Sequence, residues 1–181
     1  MKISLSSIII SHWDSLKDVG EEKISTRDIF IFYGIPFIVG GSVSLSHAAF
    51  PKEIYSVSIS VFSIFSALLF SAQVAMYGVF RSDRKIPSDV ILAEDERKRV
   101  QDTRLLLREV NANISYLIFL SCLSVTVFLI FFAAELPAGI ESGVSIFLYT
   151  HFLLTIAMVL KRAHEIFDAE YAKPIRFDDN G

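Results

Sequence analysis

The sequence has little cysteine, proline and glycine for its length, and it lacks the common catalytic motifs. Cys122 is the only cysteine among 181 residues, so a disulfide within the chain and a zinc site built from several cysteines are both excluded. The sequence contains no P-loop, no Gly-x-Gly-x-x-Gly turn, no His-Glu-x-x-His helix and no histidine pair at metal-ligand spacing. We therefore expect no catalytic residues, no metal site and no cofactor, and predict that the protein is not an enzyme.

The composition is that of a membrane protein. Hydrophobic residues make up 52% of the chain and aromatic residues 13%, with a mean hydropathy of +0.50. The net charge of −3 argues against nucleic-acid binding through bulk charge. A bilayer core of about 30 Å requires about 20 apolar residues in a helix. Four stretches reach that length, and they are residues 29–48, 54–80, 114–136 and 140–160.

The connections between these stretches predict two helical hairpins. Residues 49–53 and 137–139 are very short joints, and each contains a proline that stops a helix. The predicted fold is therefore an all-α integral membrane protein with four transmembrane helices as two hairpins and cytoplasmic helical extensions. Its segments are an amino-terminal interfacial helix (1–28), hairpin 1 (29–80), a polar helical segment (81–113), hairpin 2 (114–160) and a tail (161–181).

The distribution of basic residues predicts the orientation. Sixteen of the seventeen Lys and Arg residues lie in the two terminal segments and the central polar segment, and only Lys52 lies in a connection on the other side. Cytoplasmic segments of membrane proteins carry an excess of Lys and Arg. The pattern therefore predicts a multi-pass protein with both termini and the central segment in the cytoplasm.

The cytoplasmic segments are predicted to be helical. Residues 89–112 contain neither glycine nor proline, so a helix there could continue directly into the third span. Near the amino terminus, Leu5, Ile9, Trp13 and Leu16 share one helix face. That pattern favours an interfacial helix that lies on the bilayer or packs on another subunit.

The second span carries an unusual number of small polar residues. Successive members advance by three or four positions and form one stripe along a helix, which consists of Ser56, Ser60, Ser63, Ala67, Ser71, Ala75 and Gly78. Ser66 and Gln73 are expected to flank this stripe on the same side. One interpretation is close helix packing, since small residues let backbones approach. The other is the water-facing wall of a pore in a homo-oligomer, which Gln73 favours because an amide needs partners or water.

Two further groups of residues are candidates for gating. Pro36, Gly40 and Gly41 weaken the helix of the first span, which predicts either a kinked packing helix or a hinge. His151 lies near the middle of the fourth span, with Thr155 one turn away. An ionisable residue at this depth suggests a functional site. Either a neutral histidine bonded to a neighbouring helix or a proton-sensitive gate would fit.

The stretch STRDIFIFYGIPFIVGG, residues 25–41, resembles the start of four-span membrane subunits of bacterial anti-phage defence operons, such as those of Kiwa and Hailong. The shared features are an Arg-Asp before the first span, an aromatic-Gly-x-Pro inside it, two hairpins and cytoplasmic helices. The resemblance implies a homotetramer in the bacterial inner membrane that acts with a cytosolic partner. A Hailong-like protein would be an ion channel opened by an oligonucleotide signal. A Kiwa-like protein would sense infection at the membrane and recruit a DNA-binding subunit.

A third interpretation of the same sequence is a non-conducting scaffold or accessory subunit. Such a protein would use the small-residue stripe only for packing in the lipid bilayer, and it would anchor a cytoplasmic protein complex.

Overall fold

The computed structural model describes residues 5–15, 26–80, 90–134 and 136–171. Every regular element in these ranges is helical. The α-helices are α1 (Leu5–Asp14), α2 (Thr26–Ile29), α3 (Ile35–Leu45), α4 (Lys52–Phe80), α5 (Val90–Ala133) and α6 (Ala138–Tyr171), and a π-helical turn (Phe30–Gly34) joins α2 to α3. Parts of the predicted segments 1–28, 81–113 and 161–181, including Leu16, lie outside the described residues.

The prediction of four membrane-spanning helices is confirmed. The candidate spans are Thr26–Leu45, Lys52–Gly78, Thr103–Ala133 and Ala138–Asp168. Within the most apolar 18-residue stretch of each span, 39% of the residues are buried in spans 3 and 4, compared with 11% in span 1 and 6% in span 2. Spans 3 and 4 therefore form the centre of the molecule, and spans 1 and 2 lie at its edges.

The helices pack in an order that differs from their order in the chain. Span 1 packs along α6, α4 packs along α5, and α5 packs along α6. Within the described part of the chain, α3 and α4 do not pack against each other. The first two spans are thus a hairpin by connection only, because each packs on a helix of the second hairpin. The spans follow one another in space as 1, 4, 3, 2.

Aromatic side chains fill the space between α4, α5 and α6. Tyr55, Phe62, Phe128 and Phe152 are all fully buried. The ring of Phe62 lies 4.9 Å from that of Phe152 and 5.6 Å from that of Phe128, measured between centroids. Aromatic pairs at these separations prefer tilted and edge-to-face arrangements, as both pairs have here. The interior of the single chain is therefore packed with rings.

Two of the helices are much longer than a bilayer is thick. The 44 residues of α5 correspond to about 66 Å of helix, so the predicted continuation of the central helix into span 3 is confirmed. The α6 helix runs to Tyr171, beyond the predicted end of hairpin 2 at residue 160. The helix continues through the charged residues after Leu160, because the sequence there contains neither glycine nor proline before Tyr171. We call the side where α5 begins and α6 ends the basic side, and the opposite side, with residues 46–51 and 136–137, the loop side.

The α1 helix buries His12 and leaves most of its apolar residues exposed. His12 and Ser15, which follows directly after α1, are buried against the spans, whereas Leu5 and Ile10 are both 58% exposed and Ile9 and Trp13 are also exposed. Exposed apolar residues of this kind are favourable at a lipid surface, and the interfacial position of α1 stays a prediction.

Close contact between spans 1 and 4 depends on small residues. A Cβ atom placed on Gly40 would lie 2.6 Å from the carbonyl oxygen of Gly143, and one placed on Gly143 would lie 2.6 Å from the Cβ of Ser44. A Cβ on Gly139 would lie 2.6 Å from the carbonyl oxygen of Ser44. Such spacing, with a small residue every fourth position on both helices, lets two membrane helices approach backbone to backbone.

We expect Gly143→Ala to weaken this contact. The added methyl group would overlap Ser44 and the Gly40 carbonyl oxygen, which should lower the free energy of unfolding by about 1–3 kcal/mol. Gly78→Ala is the matched control, because a Cβ there meets nothing within 4 Å in the described part of the chain, and it should leave stability equal or raise it by about 0.5–1 kcal/mol. Thermal unfolding in detergent, followed by circular dichroism, measures both. Equal stability of the two variants would contradict the contact.

Candidate functional site

The centre of the candidate site is a backbone carbonyl that proline leaves without its usual partner. In an α-helix the carbonyl of residue 32 accepts a hydrogen bond from the N–H of residue 36. Residue 36 is Pro36, which has no N–H. The π-helical turn just before α3 makes the bond from the Ile35 N–H to the Phe30 carbonyl. The carbonyl of Phe32 therefore lacks the donor that an α-helix normally provides.

His151 of α6 supplies that donor. Its Nδ1 lies 2.7 Å from the Phe32 carbonyl oxygen, and its Nε2 lies 2.7 Å from the hydroxyl oxygen of Tyr116 in α5. Since a carbonyl can only accept, Nδ1 carries the hydrogen, and Nε2 of a neutral ring accepts from the Tyr116 hydroxyl. The His151 side chain thus joins spans 1, 3 and 4. This geometry matches the predicted neutral histidine bonded to neighbouring helices.

Tyr116 connects His151 to the amino-terminal helix. The ring of His12 stacks on that of Tyr116, with centroids 3.9 Å apart and planes within 3°. Tyr33, from the π-helical turn, lies within 6.5 Å of the His12 ring and within 4.8 Å of the His151 ring. Four rings from four parts of the chain therefore meet in one cluster, which consists of His12, Tyr33, Tyr116 and His151.

Polar contacts hold α1 in place next to this cluster. We call them the α1 junction, which consists of His12, Ser15, Glu109, Asn113 and Arg162. His12 Nδ1 lies 2.7 Å from Asn113 Oδ1, and the Ser15 hydroxyl lies 2.8 Å from the same oxygen. Arg162 of α6 donates to the Ser15 carbonyl and pairs with Glu109 of α5 at 3.2 Å. The junction therefore ties the end of α1 to both central helices.

Burial strongly disfavours a charge on His12. Its side chain is completely buried, and its Nε2 has no hydrogen-bond partner among the described residues. Loss of hydration, opposed in part by the Asn113 bond and reinforced by the nearby His151 and Arg162, lowers the pKa of His12 to about 4. The docked α1 helix thus requires neutral His12.

A polar pocket lies beside the α1 junction, between α1 and α5. Its volume is about 430 Å³, and its lining includes Ser11, Ser15, Arg108, Glu109 and Ser115. Among the described residues, no group of three or more His, Cys, Asp or Glu side chains is placed to hold a metal ion. The site as a whole is suited to fixing the position of α1 relative to the spans.

The structure places the serine stripe of span 2 far from this cluster. Ser56, Ser60, Ser63 and Ser71 are all exposed, as are Ala67, Ala75 and Gly78. The buried face of α4, which carries Tyr55, Ser58 and Phe62, lies roughly 180° around the helix from the stripe. The stripe therefore faces away from the rest of its own chain, and it does not pack against another span of that chain.

Ser66 and Gln73 do not share the side of the stripe, so that expectation is wrong. Both lie roughly 120° around the helix from the centre of the stripe, at the edge that faces α5. The Gln73 amide donates to Asn111 Oδ1 at 3.1 Å and to the Ser115 hydroxyl at 2.7 Å, and the Ser66 hydroxyl lies 3.6 Å from Cys122 Sγ. Partners within the chain therefore accept from the amide nitrogen of Gln73.

The gating candidates separate into two places. Pro36 acts with His151 through the Phe32 carbonyl. Thr155 donates to the backbone carbonyl of His151, one turn earlier, at 2.8 Å. Gly40 lies in the close contact with α6, whereas a Cβ on Gly41 would meet nothing within 4 Å. Sequence reasoning missed Phe32, Tyr116 and His12, although the carbonyl that Pro36 leaves unpaired follows from the sequence directly.

No protein-family model, curated protein or solved structure matches this chain. What the fold defines is the class: a multi-pass, all-α membrane protein with four apolar helices.

We expect Pro36 and His151 to be energetically coupled. His151→Leu leaves the Phe32 carbonyl without a donor inside the bundle, which should destabilise the protein by about 1–3 kcal/mol. Pro36→Ala restores an N–H four residues after Phe32, so the double variant should recover part of that loss. A double-mutant cycle of unfolding free energies measures the coupling, expected at about 1 kcal/mol. Strictly additive effects would contradict the assignment of the Phe32 carbonyl to His151.

We also expect α1 to undock in acid. The pKa of His12 is 6.5 when free and about 4 when docked, so the docked state binds fewer protons between these values. Docking should be complete above pH 6.5, should weaken as the pH falls towards 4, and should lose roughly 3 kcal/mol in total. Trp13 is the only tryptophan, so its emission wavelength and its quenching by solutes report undocking.

Two variants test whether His12 carries this acid response. His12→Phe keeps an aromatic ring but cannot be protonated, so it should abolish the pH dependence between 6.5 and 4. His164→Gln alters an exposed histidine of α6 and should keep the dependence. A response of Trp13 that persists in His12→Phe would assign the effect to another group.

Proposed function

We propose that this protein is a homo-oligomeric membrane protein in which several copies enclose a gated path for ions. The observation that carries the proposal is the position of the serine stripe. Ser56, Ser60, Ser63 and Ser71 face away from their own chain, so something outside the chain covers them. Hydroxyl groups along a membrane helix are suited to line a narrow aqueous path between copies.

The packed interior supports a path between chains rather than through one chain. The rings of Tyr55, Phe62, Phe128 and Phe152 fill the space among α4, α5 and α6. Span 2, which is the least buried of the four, carries the small polar face. In a ring of copies, with α4 nearest the axis, the central pair α5 and α6 would support each α4 from behind.

The α1 junction is the candidate gate control in this proposal. It holds α1 on the basic side through contacts to Asn113 and Arg162, which lie on the central helices α5 and α6. A partner that displaces α1 would remove the His12 ring from Tyr116. Tyr116 is hydrogen-bonded to His151, which donates to the Phe32 carbonyl in the π-helical turn of span 1. Movement of α1 would therefore alter contacts among spans 1, 3 and 4.

The orientation and the biological setting are part of the same proposal. The basic side would face the cytoplasm of a bacterial cell, because sixteen of the seventeen Lys and Arg residues belong to the two terminal segments and the central segment of the sequence, which the four-span topology would put on this side. The resemblance of residues 25–41 supports a role as an effector or sensor in anti-phage defence. The signal would then come from a cytoplasmic protein or an oligonucleotide that acts on α1 or on the exposed part of α5.

The alternative function is a non-conducting scaffold that anchors a cytoplasmic complex. Two observations favour it. The Ser60 hydroxyl donates to the Ser56 carbonyl and the Ser71 hydroxyl donates to the Ala67 carbonyl, so these groups do not require water. In addition, α5 continues well past the membrane on the basic side, where it offers a long surface for a partner.

Ser63→Leu distinguishes the two functions. Leucine would place a branched apolar side chain on the stripe, and we expect it to close the path by blocking and dewetting it. The variant should purify as the parent oligomer but should fail to release ions from liposomes or to depolarise cells that express it. Ser42→Leu is the matched control, since Ser42 is also exposed but lies in α3, and it should conduct as the parent does.

Cysteine labelling adds an independent measurement. In a Cys122→Ser background, cysteine at Ser60 or Ser63 should react with small water-soluble thiol reagents when the path is open, and cysteine at Ser42 should not. If Ser63→Leu dissociates the oligomer and neither stripe position reacts under any trigger, the stripe is a packing surface. The scaffold function then replaces the pore.

A further inference from the structure

An apolar groove lies between span 1 and α6, away from both the serine stripe and the α1 junction. Its volume is about 360 Å³. Phe37, Gly40, Gly41 and Ser44 line it from α3, and Gly143 and Phe147 are among its lining residues from α6. These positions follow the three- and four-residue spacing of one helix face, so the groove runs along the two helices.

The floor of the groove is formed by the close glycine contact. Gly40 and Gly143 bring the two backbones together and leave no side chains above them. Gly41 has no such role, because a Cβ at this position would meet nothing within 4 Å among the described residues. Glycine inside a helix is less stable than alanine by about 0.5–1 kcal/mol. Contacts among the described residues do not explain why this less stable residue is present at position 41. A molecule bound in the groove would explain it, because a larger side chain would occupy the same space.

The position of the groove determines the chemistry of its occupant. All its lining residues belong to spans 1 and 4, and its outer wall is the Phe37 side chain, which is 72% exposed. Seven residue steps along α3, from Phe37 to Ser44, correspond to about 10 Å parallel to the helix axis. Hydrocarbon chains of lipids run in this direction and surround a span at this depth, where water is absent.

We propose that this groove binds one acyl chain of a phospholipid from the leaflet on the loop side. The groove lies at the loop-side end of both helices, since α3 ends at Leu45 and α6 begins at Ala138. A chain can therefore enter from the headgroup region of that leaflet and lie across Gly41 between Phe37 and Phe147. The binding would be specific to a chain rather than to a headgroup.

A lipid with a photoreactive acyl chain tests the proposal. The full-length protein is reconstituted into liposomes of phosphatidylethanolamine and phosphatidylglycerol that contain a diazirine-labelled phosphatidylcholine. After irradiation, mass spectrometry locates the adducts. The measured quantity is the ratio of adducts in the groove, at Phe37, Val144 and Phe147, to adducts at Leu153, an exposed position of α6. We expect this ratio to be high in the parent protein.

Gly41→Leu places a side chain in the groove, and its Cβ meets nothing within 4 Å among the described residues. It should cause loss of the groove adducts while the adducts at Leu153 persist. Gly78→Leu is the matched control, because Gly78 also has open space around it but lies in α4, and it should keep the parent ratio. An unchanged ratio in Gly41→Leu would overturn the proposal.

A second copy of the chain is the competing occupant. Cysteine at Gly41, in a Cys122→Ser background, would form a disulfide between copies if the groove lay at an interface between two α3 helices. Absence of groove adducts in the parent together with such a cross-link would assign the groove to assembly rather than to lipid. Because the readout is adduct position, the result does not depend on whether the protein conducts ions.

Discussion

Pro36 leaves one carbonyl inside the membrane without a donor, and the arrangement of the central helices depends on how that carbonyl is satisfied. Hydrocarbon offers no hydrogen bonds, so a backbone oxygen at this depth must be paired within the protein. His151, in another helix, donates a hydrogen bond from Nδ1 to this oxygen. Its Nδ1 therefore carries the hydrogen. The remaining nitrogen then accepts from Tyr116. A single missing N–H therefore places a histidine, a tyrosine and three spans relative to one another.

The same requirement explains why several polar side chains lie inside the bundle, next to the aromatic core. His12, Asn113, His151 and Thr155 are buried, whereas large apolar side chains such as Leu68, Phe70 and Leu153 are exposed. In water this distribution would be unfavourable, but in lipid it leaves the polar groups among their partners. In α1, the His12 ring stacks on Tyr116 and bonds to Asn113, while Leu5 and Ile10 are exposed.

Glycine and serine have different uses at the two edges of the molecule. At the edge formed by span 1, Gly40 and Gly143 allow backbone contact, and Gly41 leaves a groove beside it. At the edge formed by span 2, the small residues face away from the chain and are exposed beside large apolar side chains such as Val57 and Ile64. The chain thus has two unlike edges, one with a glycine-lined apolar groove and the other with a stripe of small, partly hydroxylated residues.

The sequence by itself determined the number of spans, the distribution of basic charge and the continuous helix into span 3, because length, hydropathy and the absence of helix breakers are local properties. It also located the serine stripe and His151 as unusual features. Only the tertiary structure decided their surroundings. Periodicity defines a helix face but not what that face meets, so the stripe proved to point away from its chain, and Gln73 proved to point towards Asn111. His12 and Tyr116 are far apart in sequence, and only the packing of α1 on α5 brings their rings together.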